Sequence, residues 1–309
     1  MNTRTRVTAI PALLAAGAFA ALPSMLRGAA AHGQATPEAA SVAAWADLGL
    51  PELELTFTVE AVEGMPESIE AGRYLVTIHG EPTDEDYAFG PMFLQIPEGM
   101  TFDDLMAQAS EDSDGPPAFY YESLVAGGPS ILASTGETSA VGIVDLPSGE
   151  WIVAGSSLSH PPIPFTVTDE MPDDLPEPAS NATFTLGEMV IALTEGELVA
   201  GENLVKVENA GVQPHFVEVS KVPDGTTLEN IEATIAGFMG GTPEAEPIAE
   251  TDFAGFATTV DQAGGTTIWV TMDLEAGTYA ALCFFPDRET GMPHAAMGMY
   301  TVFTVEAAG

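Results

Sequence analysis

The chain has 309 residues and is strongly acidic, because 46 aspartates and glutamates stand against 7 lysines and arginines, for a formal net charge of −39. A surface with this charge repels nucleic acids and anionic membranes, and it favours solubility and cationic partners. These numbers exclude nucleic-acid binding and predict a solvated acidic surface.

The first 35 residues have the pattern of a secretory signal peptide. Arg4 and Arg6 precede an apolar run from Val7 to Leu26, and small residues that suit a signal peptidase follow it up to Ala35. We predict cleavage near Ala31 or Ala35 and export to the periplasm, the cell surface or the medium, with no stable membrane insertion afterwards. The mature chain would keep four basic and 46 acidic residues, a net charge of −42.

The composition changes at residues 169–180, DEMPDDLPEPAS, which is typical of an acidic, proline-rich linker. This segment separates two predicted domains, residues 51–168 and 181–306. Four sequence blocks recur in the same order in both halves, which indicates an internal duplication. The paired blocks are TFTV and TFTL, EAGRYLVTI and VAGENLVKV, IPEGMTFDDL and VPDGTTLENI, and LPSGEWIVAG and LEAGTYAALC.

Both halves contain short runs of valine, isoleucine, threonine and aromatic residues, broken by glycine, proline, asparagine and aspartate. Runs such as NLVKVEN and YTVFTV alternate as β-strands do. Their regular spacing predicts an all-β fold of two tandem Greek-key β-sandwiches. One helix per half is predicted after the shared PEGMT or PDGTT turn, at Phe102 to Ala109 and at Leu228 to Phe238.

The chain contains one cysteine, Cys283, which cannot form an intramolecular disulfide. A buried structural cysteine is one explanation for it. Its neighbours suggest another, because His294 and Met299 follow in CFFPDRETGMPHAAMGM and His215 lies upstream in NAGVQPHFVEV. A thiolate, imidazoles and a thioether are ligands that copper selects, so the pattern predicts a mononuclear copper site.

The predicted strands place these residues at one end of the second sandwich. A strand through LEAGTYAALC ends near Cys283, and the next strand begins near Tyr300. Cys283 and Met299 would therefore lie at the two ends of one loop, with His294 between them.

These segments resemble the cupredoxin, or blue (type 1) copper, family, and in particular its plastocyanin-like members. NAGVQPHFV resembles the segment with the first histidine ligand, GTYAALC the strand with the cysteine ligand, and HAAMGMYTVFTV the second histidine, the axial methionine and the last strand. The resemblance covers residues 183–305. It implies that His215 and His294 supply nitrogen ligands, Cys283 the thiolate and Met299 a weak axial sulfur.

The main departure from the family is the loop of ten residues between Cys283 and His294, which is longer than in small blue copper proteins. Its length leaves open whether the site is a rigid electron-transfer centre or a looser copper-binding one. Met297 is an alternative axial ligand, although four spacer residues and a preceding glycine favour Met299. His32, His79 and His160 stand outside such segments and are expected not to bind metal.

The first half serves as an internal comparison. Gly155 stands where the repeat has Cys283, Phe89 lies near the place of His215, and no pair like His294 and Met299 follows Gly155. We therefore expect the first half to lack a metal and to act as structural support or as a binding surface for a partner.

Three functions fit the sequence. The first is a non-enzymatic, exported electron carrier that contains copper and meets a redox partner protein. The second is copper storage or delivery, which the long loop and its additional methionines favour, and the third is a metal-free interaction module. Copper oxidases need several more histidines than the five in this chain, so we expect no enzyme activity.

Overall fold

The computed structural model describes residue 43 and residues 45–58, 61–80, 88–110, 115–132, 137–155 and 161–307. The predicted signal peptide, residues 1–35, lies outside the described residues, and so do His32 and His160. Across the described ranges, no helix has the length and apolar character needed to cross a membrane.

The described part of the first half is built from short strands and one helix. They are β1 (Glu52–Phe57), β2 (Val62–Glu63), β3 (Ser68–Glu70), β4 (Gly72–Gly80), β5 (Ala88–Phe89), β6 (Pro91–Gln95), α1 (Phe102–Ala109), β7 (Ala126–Pro129), β8 (Ile131–Leu132), β9 (Ser139–Leu146), β10 (Gly149–Gly155) and β11 (Ile163–Thr168).

The second half has the same character. Its elements are β12 (Ala182–Gly187), β13 (Val190–Gly196), β14 (Gly201–Asn209), β15 (Glu218–Val222), α2 (Leu228–Phe238), β16 (Ala254–Gln262), β17 (Thr267–Leu274), β18 (Gly277–Leu282) and β19 (Tyr300–Val305). The predicted all-β fold class is confirmed.

The two helices begin in the same way, at a capping box. Thr101 accepts a hydrogen bond from the backbone N–H of Asp104, and the Asp104 side chain accepts one from the Thr101 backbone. Thr227 and Asn230 repeat this arrangement at the start of α2. Because each box satisfies two backbone donors at the helix start, both helices begin at the predicted residues, and both also end where predicted.

The pairing of strands also repeats between the halves. In the first half β1 runs parallel to β4, which pairs antiparallel with β9, and in the second half β12, β14 and β17 pair in the same way. Strand β10 lies between β6 and β11, as β18 lies between β15 and β19. This repetition agrees with an internal duplication, which remains a prediction, as does the division at residues 169–180.

The halves are joined by two continuous sheets, which the sequence pattern did not predict. Strand β17 pairs with β9 within an eight-stranded sheet, and β7 of the first half pairs with β16 at the edge of a five-stranded sheet. Gly142 permits the first contact, since a Cβ there would lie 2.9 Å from the carbonyl oxygen of Trp269. The two sandwiches therefore share their main-chain hydrogen bonding.

The predicted linker packs against both halves. Arg73 of β4 donates to the carbonyl oxygen of Pro176 at 2.8 Å, and Lys206 of β14 pairs with Glu177 at 3.0 Å. Trp45 donates its indole N–H to the carbonyl oxygen of Ala179 at 3.1 Å. The segment is therefore fixed between the halves.

Arg73 is the buried charged residue at the contact between the linker and the two halves. Its guanidinium forms two hydrogen bonds with Asp145, at 2.7 and 2.8 Å, and lies 4.4 Å from the centre of the Trp269 ring. The hydrogen bonds that Arg73 donates to Asp145 raise the pKa of Arg73, against the opposing effect of burial. The buried cation thus links a first-half strand, the linker and a second-half aromatic ring.

We expect Arg73→Met to lower the free energy of unfolding by roughly 2–4 kcal/mol, because it leaves Asp145 and the Pro176 carbonyl without a donor. Chemical denaturation of the full chain measures this loss. Lys221→Met is the matched control, since it removes an exposed ion pair with Glu275 and should cost less than about 1 kcal/mol. Equal losses in the two variants would contradict the structural role of Arg73.

Candidate metal centre

Each predicted ligand lies at the end of a regular element. His215 precedes β15 and forms an isolated bridge with Gln262, through hydrogen bonds of 3.0 and 2.8 Å. Cys283 directly follows β18, and His294 begins a 3₁₀ turn that runs from His294 to Met297. The two long-range partners, His215 and the loop after β18, meet because β15 and β18 are neighbours in one sheet.

Main-chain hydrogen bonds tie the loop ends together. The N–H of Cys283 donates to the carbonyl oxygen of Met299 at 3.2 Å, and its own carbonyl oxygen accepts from Ala295 at 2.7 Å. His294 donates to Phe285 at 2.8 Å and accepts from Met299 at 3.0 Å. These main-chain hydrogen bonds therefore fix the spacing of Cys283, His294 and Met299.

Three side-chain atoms converge in the interior. The Nδ1 atoms of His215 and His294 are 3.0 Å apart, and Cys283 Sγ lies 4.0 Å from the first and 3.7 Å from the second. All three residues are 0% exposed. Among the described residues, this is the group of histidine, cysteine or carboxylate side chains that could hold a metal ion.

The triangle has the dimensions of a coordination site. A point equidistant from the three atoms lies about 2.1 Å from each, and first-row metal ions bind imidazole nitrogen at about 2.0 Å and thiolate sulfur at about 2.3 Å. Two nitrogens and one thiolate in a trigonal arrangement are the donors that copper electron-transfer sites use. The residues therefore fit copper.

Burial keeps the three groups uncharged in the absence of a metal. It lowers the pKa of His215 to about 4, with a further contribution from the neighbouring His294, and it lowers the pKa of His294. Burial also raises the pKa of Cys283 to about 12. At neutral pH the imidazoles are thus neutral, and the thiol must release a proton when it binds a metal.

The backbone around Cys283 favours the thiolate. The N–H groups of Phe216 and Phe285 hydrogen-bond to the sulfur, and these bonds oppose the effect of burial on the pKa of Cys283. Hydrogen bonds to a ligating sulfur also set the reduction potential of a bound copper ion. The two donors come from the two segments that carry the histidines.

Glu188 lies beside His215, which no sequence pattern indicated. It lies in the turn between β12 and β13, and its Oε1 atom accepts from the backbone N–H of Gln213 at 3.1 Å and from that of Val212 at 2.5 Å. The same oxygen is 3.6 Å from Nε2 of His215, which has no closer polar partner in the described chain. Glu188 is distant from His215 in the sequence, so no local sequence pattern predicts that the two side chains meet.

Gly211 and Asn209 explain the NAGVQPH motif. A Cβ at Gly211 would lie 2.9 Å from Nε2 of His215 and 2.5 Å from Oε1 of Glu188, so the position has no room for a side chain. Asn209 is 1% exposed and donates to the carbonyl oxygens of Gln213 and Gln262 at 2.9 and 2.8 Å. These residues hold the His215 segment in place.

The methionines differ in burial. Met299 is 0% exposed, whereas Met292 and Met297 are each 39% exposed, and the sulfur of Met297 accepts a hydrogen bond from Thr290 at 3.8 Å. Burial favours Met299 over Met297 as the axial ligand. That role remains a prediction, as do the ligand roles of His215, Cys283 and His294.

His79 lies on the surface in the first half. Its side chain is 33% exposed, and its Nε2 atom is 3.1 Å from Glu54. Gly155 ends β10, the strand whose pairing matches that of β18, so it occupies the place of Cys283 in the repeat. The absence of a metal from the first half stays a prediction.

We expect Gly211→Ala to weaken copper binding by about tenfold or more, since the added methyl group displaces His215 or Glu188. Changes in the residues that orient a metal ligand cost about 10–100-fold in affinity. Competition with a chelator of known affinity measures the change. Gly187→Ala is the control, because its Cβ would meet nothing closer than 4.0 Å. Unchanged affinity in Gly211→Ala would show that the contact with His215 is not needed.

Comparisons with known proteins gave matches among solved structures only. No protein-family model matches the chain, and no curated protein matches it significantly. Reduced auracyanin from the photosynthetic bacterium Roseiflexus castenholzii is 23% identical, with 41% of this chain and 95% of that chain covered and a TM-score of 0.26. Auracyanin A, a blue copper protein from Chloroflexus aurantiacus, is 22% identical, with coverages of 41% and 98% and a TM-score of 0.24.

A longer but weaker match is a multi-copper oxidase from Pediococcus acidilactici, which is 10% identical, with 84% of this chain and 59% of that chain covered and a TM-score of 0.22. Because the identities and TM-scores are low, none of these likenesses decides the function of this chain. The case for copper rests on the donor atoms themselves. The second half carries a buried cluster of two histidines and a cysteine whose chemistry and spacing fit copper.

Proposed function

We propose that this protein is an exported electron carrier with a mononuclear, type 1-like copper centre in its second half. The observation that carries the proposal is the fully buried triangle of His215 Nδ1, His294 Nδ1 and Cys283 Sγ. When bound, a copper ion in such a set with a weak axial thioether exchanges one electron with little rearrangement.

The surrounding residues support this role by limiting movement and excluding water. The ligand segments are tied by main-chain hydrogen bonds, and the Phe285 ring packs 5.8 Å from the His294 ring, centre to centre. Phe285 is 0% and Phe216 2% exposed. A dry, rigid site lowers the reorganisation that accompanies a change in charge.

Export is part of the proposal and rests on the N-terminal sequence. The absence of enzyme activity is also part of the proposal. It rests on the histidine count, since the chain has five histidines in total and two of them belong to the proposed site. The redox partner would be cationic, because the mature chain has a net charge of −42.

Copper storage or delivery is the second candidate. Met292 and Met297 are both partly exposed in the segment around His294, and thioethers are soft ligands that suit Cu(I). An entry route lined by methionines would serve a protein that passes copper to another. Tight binding of Cu(I) by a protein that stays colourless with Cu(II) would favour this function.

The deciding experiment adds Cu(II) to the purified mature protein and records its visible and electron paramagnetic resonance spectra. We expect an absorption band at roughly 600 nm and a small copper hyperfine splitting, because the thiolate shares its charge strongly with the metal in type 1 sites. Cys283→Ser should lose both signals. Copper-dependent colour that survives in this variant would exclude the proposed ligand set, and a protein that binds neither oxidation state would be an interaction module.

The charge of the protein gives a kinetic prediction. Oxidation of the copper(I) protein by a cationic metal complex should be faster than oxidation by an anionic complex of similar potential, and the advantage should fall as salt is added. Stopped-flow absorbance near the copper band measures both rates. Oxidation rates that do not change with ionic strength would contradict a role for the acidic surface in partner choice.

A further inference from the structure

The loop between Cys283 and His294 has ten residues. Each doubling of the length of a flexible loop costs only about 0.6 kcal/mol in closure entropy, so a long loop is tolerated and can adopt many conformations. A copper centre that transfers electrons needs the opposite, because its ligands must stay in place. The structure shows where the constraint on this loop comes from.

Part of the constraint lies within the second half. Asp287 accepts hydrogen bonds from the hydroxyl of Thr290 at 2.7 Å and from its N–H at 2.8 Å, which closes the loop into a turn. Gln213, two residues before His215, donates to Asp287 at 3.0 Å and accepts from the N–H of Arg288 at 2.8 Å. These bonds hold the tip of the loop.

The other part comes from the first half, through a 3₁₀ turn from Ala118 to Tyr121. The Tyr120 ring stacks on the Phe285 ring at 5.8 Å and 20°, and the Tyr121 ring meets it edge-on at 5.6 Å and 75°. Tyr121 also donates its hydroxyl to the carbonyl oxygen of Pro286 at 3.0 Å. Two aromatic side chains of one half thus hold the base of a loop in the other.

Polar contacts fix the turn itself. Tyr120 is 3% exposed and donates its hydroxyl to Asp261 of β16 at 2.9 Å. Glu122 forms an ion pair of 2.6 Å with Arg288 of the loop. The chain then continues into β7, which pairs with β16, the strand whose Gln262 is bonded to His215. The turn therefore has a fixed position relative to both histidine segments.

Phe285 connects this contact to the ligands. Its carbonyl oxygen accepts from the N–H of His294, its own N–H bonds to the sulfur of Cys283, and its ring packs on that of His294. Any shift of Phe285 therefore moves groups that touch two of the three proposed ligands.

We propose that Tyr120 and Tyr121 are positioning residues for the copper centre, and that holding the metal loop is a function of the first half. The proposal rests on the proposed function for its effect on copper. Its effect on the order of the loop does not depend on a bound metal, so the two ideas can fail separately.

The first test measures amide hydrogen exchange of the metal-free full chain. In Tyr120→Ala we expect exchange of the loop amides, His294 included, to speed up by about tenfold, because the aromatic pair with Phe285 and its buried contact area are lost. Tyr120→Phe keeps the ring but loses the hydrogen bond to Asp261, so exchange of the same amides should speed up by less than about threefold.

Tyr74→Ala is the matched control. Tyr74 is a first-half tyrosine that is 5% exposed, and its hydroxyl bonds to the carbonyl oxygen of Glu70, away from the loop. This variant removes the same buried ring and should leave loop exchange unchanged. Equal acceleration in Tyr74→Ala and Tyr120→Ala would show general destabilisation and overturn the proposal.

The second test uses the copper-loaded protein. We expect Tyr120→Ala to change the copper hyperfine splitting and to release copper to a chelator about tenfold faster, while Tyr120→Phe and Tyr74→Ala keep the wild-type spectrum. An unchanged spectrum and release rate in Tyr120→Ala, together with unchanged loop exchange, would overturn the proposal. A wild type that forms no copper–thiolate band refutes the proposed function, and loop exchange then decides the positioning role alone.

If Tyr120→Ala does not fold, the double variant Tyr121→Phe with Arg288→Gln replaces it. These changes remove the hydrogen bond to Pro286 and the ion pair with Glu122, and Arg288 is an exposed residue. We expect loop exchange about threefold faster than in wild type. Exchange equal to that of wild type would overturn the proposal here as well.

Discussion

The closure of the loop after β18 by main-chain hydrogen bonds is the constraint on which the site depends. Cys283 uses both its N–H and its carbonyl oxygen in this closure, toward Met299 and Ala295, which fixes the direction of its Cα–Cβ bond. His294 is tied to the same segment, and His215 lies just before β15, the strand that neighbours β18. The donor triangle follows from the course of this backbone.

Burial determines the protonation state of the three donor groups. Three donor atoms sealed from water stay neutral without a metal, because charging them in the interior is costly. The same seal would protect a bound copper ion and hold its ligands through a change in oxidation state. The backbone N–H groups of Phe216 and Phe285 offset part of the cost of the thiolate.

The first half of the chain supports the loop that carries the proposed ligands Cys283 and His294. It extends both sheets of the second half and packs two tyrosines against Phe285, beside His294. The first half can therefore serve a copper site in the second half by restraining the long loop between Cys283 and His294. The predicted linker, fixed by Arg73 and Lys206, keeps the halves in this relation.

The sequence by itself determined the all-β class, both helices, the strand ends that carry Cys283 and Tyr300, and the grouping of His215, Cys283 and His294. These features depend on local periodicity, capping residues and short motifs, which a single segment contains. Only the tertiary structure decided the shared sheets, the approach of Glu188 to His215 and the contact of Tyr120 with Phe285. Such contacts join residues that are distant in the chain, and they depend on how strands pair and pack, which no local pattern encodes.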